Sequence, residues 1–220
     1  MADANEKYEE LKRYSENLSH ELLTPLTVIR SKAELLLQSE NLSESDLNNI
    51  DVILKTVGKL SRLNRGLILL SKIKNDQFID REEILLSEVI SESLELMEDQ
   101  IRHSELSIRI DLKSPTKIYS NSNLVHILFN NLIKNACIHN VKGGYIKVSL
   151  FEDKVIIENS GLRNEKSESD LFHRFTSGDD RVDSLGLGLS IVKNICEKLQ
   201  FKVKYTTQED IHFFELHFSK

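Results

Sequence analysis

The chain is organised around one short stretch near its N-terminus, Ser19-His20-Glu21-Leu22-Leu23-Thr24-Pro25-Leu26. The residues around it, about 5–38, carry apolar side chains every three, four or seven positions, which predicts a helix with one buried stripe. A neutral imidazole such as that of His20 can attack an electrophile, and Glu21 can accept the released proton. Thr24 lies one turn further on the same face and could orient a water. Pro25 lacks an N–H, so a kink is expected at Glu21.

A second helical stripe runs from about Leu47 to Leu70, after a short polar link. Ser43 or Ser45 is its expected N-cap. Two helices with a short link form a hairpin, and a single hairpin cannot cover both apolar stripes. The economical solution is a four-helix bundle built from two chains, so the sequence predicts a homodimer.

The composition narrows the possible classes of function. The chain has 220 residues, enough for two modest domains, and a net charge of −6 without a basic cluster. We therefore expect neither a nucleic-acid partner nor contact of this segment with a membrane. Cys137 and Cys196 both lie in apolar helical patterns, which predicts buried free thiols in a reducing compartment.

A polar stretch at 74–77 marks the expected domain boundary, with a helical hairpin at 1–76 and a second domain at 77–220. Helical and strand patterns mix in the second domain, which predicts an α+β sandwich with helices on one face of a sheet. The expected helices are 87–103, 124–139 and 188–199, and the expected strands are 107–111, 145–150, 154–158, 201–206 and 211–218.

Polar residues in the second domain form a candidate ligand site. Asn131 and Asn135 are four residues apart on one face of an apolar helix, and carboxamide oxygens suit Mg²⁺ and phosphate-bound water. The alternative is an ordinary solvated face. Asn159 leaves a strand just before Gly161, a turn that could bring backbone close to a base.

Two further glycines, Gly186 and Gly188, precede an apolar helix whose N–H groups would favour phosphate, although helix–sheet packing could also explain them. Between the glycine stretches lies a long polar segment, about 162–185, which is typical of a lid or of a disordered link. Phe172 and Phe175 within it favour a lid that docks.

In this order, the stretches resemble the phosphoacceptor box of sensor histidine kinases and the asparagine, first glycine, phenylalanine and second glycine boxes of their catalytic domain. The resemblance runs from about Asn5 to the C-terminus. It implies a dimeric helical hairpin followed by an ATP-binding sandwich of the type found in certain chaperones, gyrases and repair ATPases. The implied reaction is autophosphorylation of His20 by Mg²⁺ and ATP, then phosphotransfer to an aspartate of a response-regulator receiver domain. The spacing of Glu21 and Thr24 resembles the family's phosphatase signature.

The resemblance also implies roles for single residues. Asn135 would be the Mg²⁺ ligand, Asn131 a phosphate-side contact, Arg181 a lid residue near the terminal phosphate, and His139 the surface that stacks on adenine. Asn159 stands where the family usually has the aspartate that receives the adenine amino group. The remaining expected ATP-binding residues are Gly161, Phe175, Gly186 and Gly188. Further departures from the family pattern are Leu23 for arginine, Ser184 for glycine, and Ile138-His139 for a lysine–aromatic pair.

Two alternatives stay open at this level. The first is a dimeric scaffold that binds nucleotide without phosphotransfer. The second is an ATPase of the chaperone or repair group, although those proteins lack a preceding histidine-box helix. The resemblance places the segment in the cytoplasm, either as a free protein or as the cytoplasmic portion of a membrane-bound sensor.

Overall fold

A computed structural model describes residues 22–39, 41–75, 77–162, 171–172 and 186–218. The chain divides into two compact units, Met1–Asn75 and Asp76–Lys220. The described residues of the first unit form two helices joined by a short link, and those of the second form helices and two sheets, so the expected α+β class is confirmed. Among the helices described, none has the length and apolar character needed to cross a membrane.

The described part of the first unit contains two helices. Helix α1 covers residues 22–36 and continues through Pro25, while the kink expected at Glu21 lies outside the described residues. Helix α2, Glu44–Lys74, begins with a capping box: Ser43 accepts a hydrogen bond from the Asp46 N–H, and the Asp46 carboxylate accepts one from the Ser43 N–H. The Ser43 hydroxyl also donates to the Asp46 carboxylate, and this bond, together with the one from the Ser43 N–H, lowers the pKa of Asp46. Of the two expected caps, Ser43 is therefore the one used.

The apolar side chains of the first unit fall into two sets. On α2, Ile50, Val57 and Asn64 are buried and lie seven residues apart, the repeat of a bundle core. Other apolar side chains at the same spacing stay 38–52 % exposed, and these are Leu22, Ile29 and Leu36 on α1 and Ile53, Leu60 and Leu67 on α2. A single chain therefore leaves an apolar stripe on each helix uncovered.

The second unit follows a mixed order of helices and strands. In chain order the elements are β1 (Glu82–Leu85), α3 (Leu86–Glu95), α4 (Glu98–His103), β2 (Ser107–Leu112), β3 (Lys117–Ser120), α5 (Ser122–Ile138), β4 (Tyr145–Leu150), β5 (Lys154–Ser160), α6 (Gly188–Leu199), β6 (Lys202–Gln208) and β7 (Ile211–His217). Strands β2-β4-β5-β7-β6 form the main sheet in that order, with β2 parallel to β4 and the other pairs antiparallel. Strands β1 and β3 form a separate antiparallel pair.

The core of this unit lies between one face of the main sheet and the helices. Along β5 and β7 every second residue is buried, as expected for a sheet with one covered face. Helix α5 contributes the largest buried face and packs against α3 and α6. Cys137 and Cys196 are buried and free, which confirms the sequence-based expectation. Burial raises their thiol pKa values to about 11 and about 12, so both are poor nucleophiles.

The single helix expected at 87–103 is instead two helices, α3 and α4. The Met97 N–H bonds to the Leu94 carbonyl at 3.0 Å, a tight turn that ends the first helix. Glu98 and Asp99 then occupy the first turn of the second helix, where carboxylates complement the helix dipole. Hydrophobic periodicity continues across the break, so the pattern alone could not reveal it.

Candidate functional site

Helix α5 carries three of the predicted site residues along one line, Asn131, Asn135 and His139. Steps of four residues place them on the same face over about 12 Å. Asn121 caps the start of the helix by accepting a hydrogen bond from the Leu124 N–H at 3.0 Å, and His139 is the C-cap. Because the opposite face is buried in the core, Asn131 and Asn135 remain half-buried and His139 is exposed.

Helix α6 begins beside Asn131. A Cβ atom at Gly188 would lie 3.3 Å from Asn131 Oδ1, and Gly186 has φ +63°, a conformation that other residues rarely adopt. The Asn131 amide is held in place because its Nδ2 donates to the Ile127 carbonyl at 2.7 Å. No side chain among the described residues caps the first N–H groups of α6. This helix start therefore offers an anion site next to an oriented amide.

The glycine turn at Gly161 lies against His139, at the C-terminal end of the line of α5 residues. A Cβ atom at Gly161 would lie 2.6 Å from the His139 carbonyl oxygen and 2.5 Å from the ring of His212. Only glycine fits between these two groups without a shift of backbone. The turn is thereby held against the end of α5.

Asn140, which follows His139, fixes the end of α5 to the sheet. Its Nδ2 donates to the carbonyls of Ala136 and Tyr145 at 3.1 and 3.0 Å. Its Oδ1 accepts from the Ser160 hydroxyl at 2.7 Å. Sequence reasoning did not select Asn140, because an asparagine just after a helix is an ordinary terminator.

Asn159 presents an unsatisfied acceptor at this turn. The residue is 1 % exposed, and its Nδ2 donates to the Ser160 carbonyl at 2.8 Å. Its Oδ1 is buried and has no partner among the described residues. A buried acceptor left unpaired costs about 1–3 kcal/mol, so a ligand that donates a hydrogen bond here would relieve that cost. The residues present therefore fit a base with an exocyclic amino group.

His212 on β7 is a second residue that sequence reasoning missed. It is the cross-strand partner of Asn159 and is 6 % exposed. Its Nδ1 lies 2.6 Å from the Tyr205 hydroxyl and its Nε2 lies 3.0 Å from the Leu162 carbonyl. The only sequence signal was its position two residues before Phe214, which puts it on the inward face of the strand.

Several of the predicted site residues cannot be placed in the site on the second unit. His20, Glu21, Phe175 and Arg181 lie outside the described residues. Thr24 is described, and it is exposed on α1 of the first unit. The second unit therefore brings together the two asparagines of α5, both glycine turns and Asn159.

The arrangement suits an elongated ligand with unlike ends. Asn159 and Gly161 form a buried, hydrogen-bonding end beside His139, where a flat base could lie. The start of α6, where no described side chain caps the N–H groups, forms an anion-binding end beside Asn131, and Asn135 lies between the two ends. This is the chemistry required to bind a nucleoside phosphate.

Two family models match the chain. Residues 10–76 match the His Kinase A phospho-acceptor domain, and residues 120–219 match the histidine kinase-, DNA gyrase B- and HSP90-like ATPase. The fold and the site thus define the class: a helical phosphoacceptor domain joined to an ATP-using domain. The chain belongs to the sensor histidine kinase family of two-component systems.

Curated relatives agree with this assignment. The heme sensor protein HssS of Staphylococcus saprophyticus is 31% identical over 193 residues, covering 84% of this chain and 41% of that protein. HssS of Staphylococcus aureus strain Newman is 31% identical over 211 residues, covering 90% of this chain and 44% of that protein. The chain thus spans less than half the length of these relatives.

Solved structures support the same fold. The Acinetobacter baumannii histidine kinase AdeS matches with a TM-score of 0.63 and 25% identity, covering 91% of this chain and 97% of that one. Full-length ShkA in complex with AMPPNP matches with a TM-score of 0.69 and covers 94% of this chain and 46% of that one. At 18% identity, the ShkA match indicates the fold alone.

Proposed function

We propose that this chain autophosphorylates on His20 with ATP and passes the phosphoryl group to an aspartate of a response-regulator receiver domain. The observation that carries the proposal is the α5 line of amides. At one end lies a buried acceptor, and at the other a helix start, and neither has a side-chain partner among the described residues. Incubation with γ-labelled ATP tests it, because transfer leaves label on the chain. Label released only as free phosphate would favour the chaperone-type ATPase instead.

In the proposed step, a ring nitrogen of His20 attacks the terminal phosphorus of ATP. The N–P bond forms, the bond to the ADP oxygen breaks, and the other ring nitrogen loses its proton to Glu21. Most of the rate enhancement comes from positioning and from neutralising phosphate charge. We propose that Arg181 and the N–H groups at the start of α6 bind the phosphates of ATP, and that Phe175 belongs to the lid that covers them.

Asn135 is the proposed Mg²⁺ ligand. Mg²⁺ prefers hard oxygen ligands and usually keeps several waters and phosphate oxygens, so one protein amide is a sufficient donor. Asn135 is half-buried on the line between the two ends of the site, which fits this role. When bound, the ion would neutralise phosphate charge.

The base end of the site should select adenine. Asn159 Nδ2 is committed to the Ser160 carbonyl, which leaves Oδ1 as an acceptor for the adenine amino group. Guanine would present a carbonyl oxygen to the same acceptor. His139, whose carbonyl abuts Gly161, is the proposed stacking surface. The alternative is that His139 only terminates α5.

Replacement of Asn159 tests this selection. Asn159→Ala should weaken ATP binding about threefold to tenfold, the value of one neutral hydrogen bond. Asn159→Asp should bind ATP at least as tightly as the parent, because a charged acceptor bonds more strongly. Calorimetric titration with ATP and GTP measures both effects. Equal affinity of the parent for ATP and GTP would contradict the proposed role of Asn159.

The uncovered stripes of α1 and α2 support a homodimer. Ile29 on α1 and Leu60 and Leu67 on α2 are 38–46 % exposed in a single chain, which is unusual for large aliphatic side chains at bundle-core spacing. A second hairpin would bury them in a four-helix bundle.

Because the reaction uses cytosolic ATP, we place this segment in the cytoplasm, including the case in which it is part of a membrane-bound sensor.

We further propose a phosphatase activity toward the phosphorylated regulator, with Thr24 orienting the attacking water. Thr24→Ala should keep autophosphorylation within about twofold of the parent and slow regulator dephosphorylation about 10²-fold, the effect of removing one positioned donor. Thr27→Ala is the matched control, since that hydroxyl donates to the Leu23 carbonyl within the same helix. Equal loss of both activities in Thr24→Ala would mean that Thr24 only supports the helix.

The main rival is a dimeric scaffold that binds nucleotide and transfers nothing. Both functions require the same site, so binding alone does not separate them. Transfer of label to the chain, and then to a receiver domain, distinguishes the kinase from the scaffold, because a scaffold would show neither.

A further inference from the structure

The hydrogen bonds of His212 select one tautomer of its neutral ring. The Leu162 carbonyl can only accept, so the Nε2 atom that lies 3.0 Å away carries a proton. In the neutral ring Nδ1 is then an acceptor, and the Tyr205 hydroxyl donates to it at 2.6 Å. One neutral tautomer satisfies both partners.

His212 supports the base-binding turn at three points. Its backbone is paired in register with Asn159, and the edge of its ring fills the space where Gly161 would carry a Cβ atom. Its Nε2 holds Leu162, the first residue of the predicted lid. His212 therefore contacts Asn159 through the backbone ladder, and its ring contacts Gly161 and Leu162.

The surroundings disfavour a charged ring. His212 and Tyr205 are 6 % and 7 % exposed, and the Tyr205 ring packs on Phe214 with centroids 4.9 Å apart. Among the described residues, the groups that face His212 are the Tyr205 hydroxyl from β6, the neutral Asn159 from β5 and backbone at the turn. Asp210, the residue before β7, is the charged group among them that acts on His212. Burial lowers the pKa of His212 below its usual 6.5, against smaller opposing effects of the Leu162 carbonyl and Asp210.

We propose that His212 is a positioning residue for the base-binding turn and that its neutral ring makes nucleotide affinity dependent on pH. The proposal rests on the proposed ATP site. A proton added at Nδ1 would face the Tyr205 hydroxyl, which would have to turn and give up its donated bond. A buried cation would then lie beneath the turn that receives the base, and the turn would lose its support.

The sign of the effect follows from the neutral ring being the form that supports the turn. The pKa of His212 is lowered, so the ring stays neutral through the ordinary histidine range, and its support is lost only as the pH falls through that lowered pKa. ATP affinity of the parent chain should therefore decrease on acidification, by up to about tenfold per pH unit from one coupled proton.

Calorimetric titration of the full chain with Mg²⁺ and AMPPNP between about pH 7.5 and about pH 5 tests the proposal. His212→Gln keeps an amide donor for the Leu162 carbonyl but cannot titrate, so its affinity should stay near the neutral-pH parent value and lose the steep decrease. Tyr205→Phe removes the bond that favours the neutral ring, so the midpoint of the decrease should move to higher pH. His217→Gln is the matched control on the same strand, half-exposed beside Glu215, and should leave the profile unchanged.

Because the ligand's own phosphates titrate equally in every variant, differences between the profiles report on the protein. The proposal is overturned if His212→Gln keeps the parent's pH profile or if Tyr205→Phe leaves the midpoint in place. A parent chain that binds AMPPNP at no pH would instead overturn the proposed function. Binding that is flat in pH, together with label transfer, would overturn only the role of His212.

Discussion

His20→Gln abolishes transfer of labelled phosphate to the chain and leaves its affinity for Mg²⁺-ATP within about twofold of the parent. The reason is that glutamine has no nucleophilic ring nitrogen, while the residues proposed to bind ATP belong to the other compact unit. Label transfer and calorimetric titration on the same preparation measure the two quantities separately.

A matched histidine variant makes this result specific. His103→Gln removes an exposed histidine at the end of α4, so it should label as the parent does. If His20→Gln lost both labelling and nucleotide binding, the assignment of the two functions to separate units would be wrong.

Asn135→Ala should remove the Mg²⁺-dependent part of ATP binding and reduce label transfer by at least about 10²-fold. Loss of the metal's charge stabilisation is worth several kcal/mol in the transition state, which sets this magnitude. Binding is measured with and without Mg²⁺, so the metal contribution is read as a difference. Because Asn135 is half-buried on the surface of α5, the substitution leaves the core of that helix intact.

Asn123→Ala is the control for that variant, since Asn123 is an exposed asparagine in the first turn of the same helix. It should bind and transfer as the parent does. Transfer that survives in Asn135→Ala at the parent rate would exclude Asn135 as the Mg²⁺ ligand.

Much of the fold could be predicted because strong periodic patterns reflect burial on one face. The alternation in β5 and β7 and the apolar face of α5 are patterns of this kind, and the structure confirms those elements. The sequence narrowed the cap of α2 to Ser43 or Ser45, and the structure shows that Ser43 is used because it forms a capping box with Asp46.

The short paired strands β1 and β3 were missed. Each has four residues, and Ile84 and Ile118 face each other in a register that only the folded chain creates. A run this short contains too few alternations to distinguish a strand from a loop. The ion pair between Lys117 and Glu83 at 2.6 Å is likewise a contact between distant segments.

The candidate site was predictable where its residues are close in sequence, as on α5. The role of His212 could not be predicted, because it depends on pairing with Asn159 from a much earlier strand and on Tyr205 from a third strand. Such cross-strand neighbours carry no local pattern. A polar residue at an inward position of a strand is the one signal that could have drawn attention to it.

Phosphorylation of His20 is tested most directly by the chemical stability of the label that γ-labelled ATP leaves on the parent chain. A phosphoryl group on a histidine nitrogen is released by acid and retained in alkali, so we expect label that is lost in acid and stable in base. Label that resists acid would indicate a serine or threonine phosphate, and it would contradict transfer to His20.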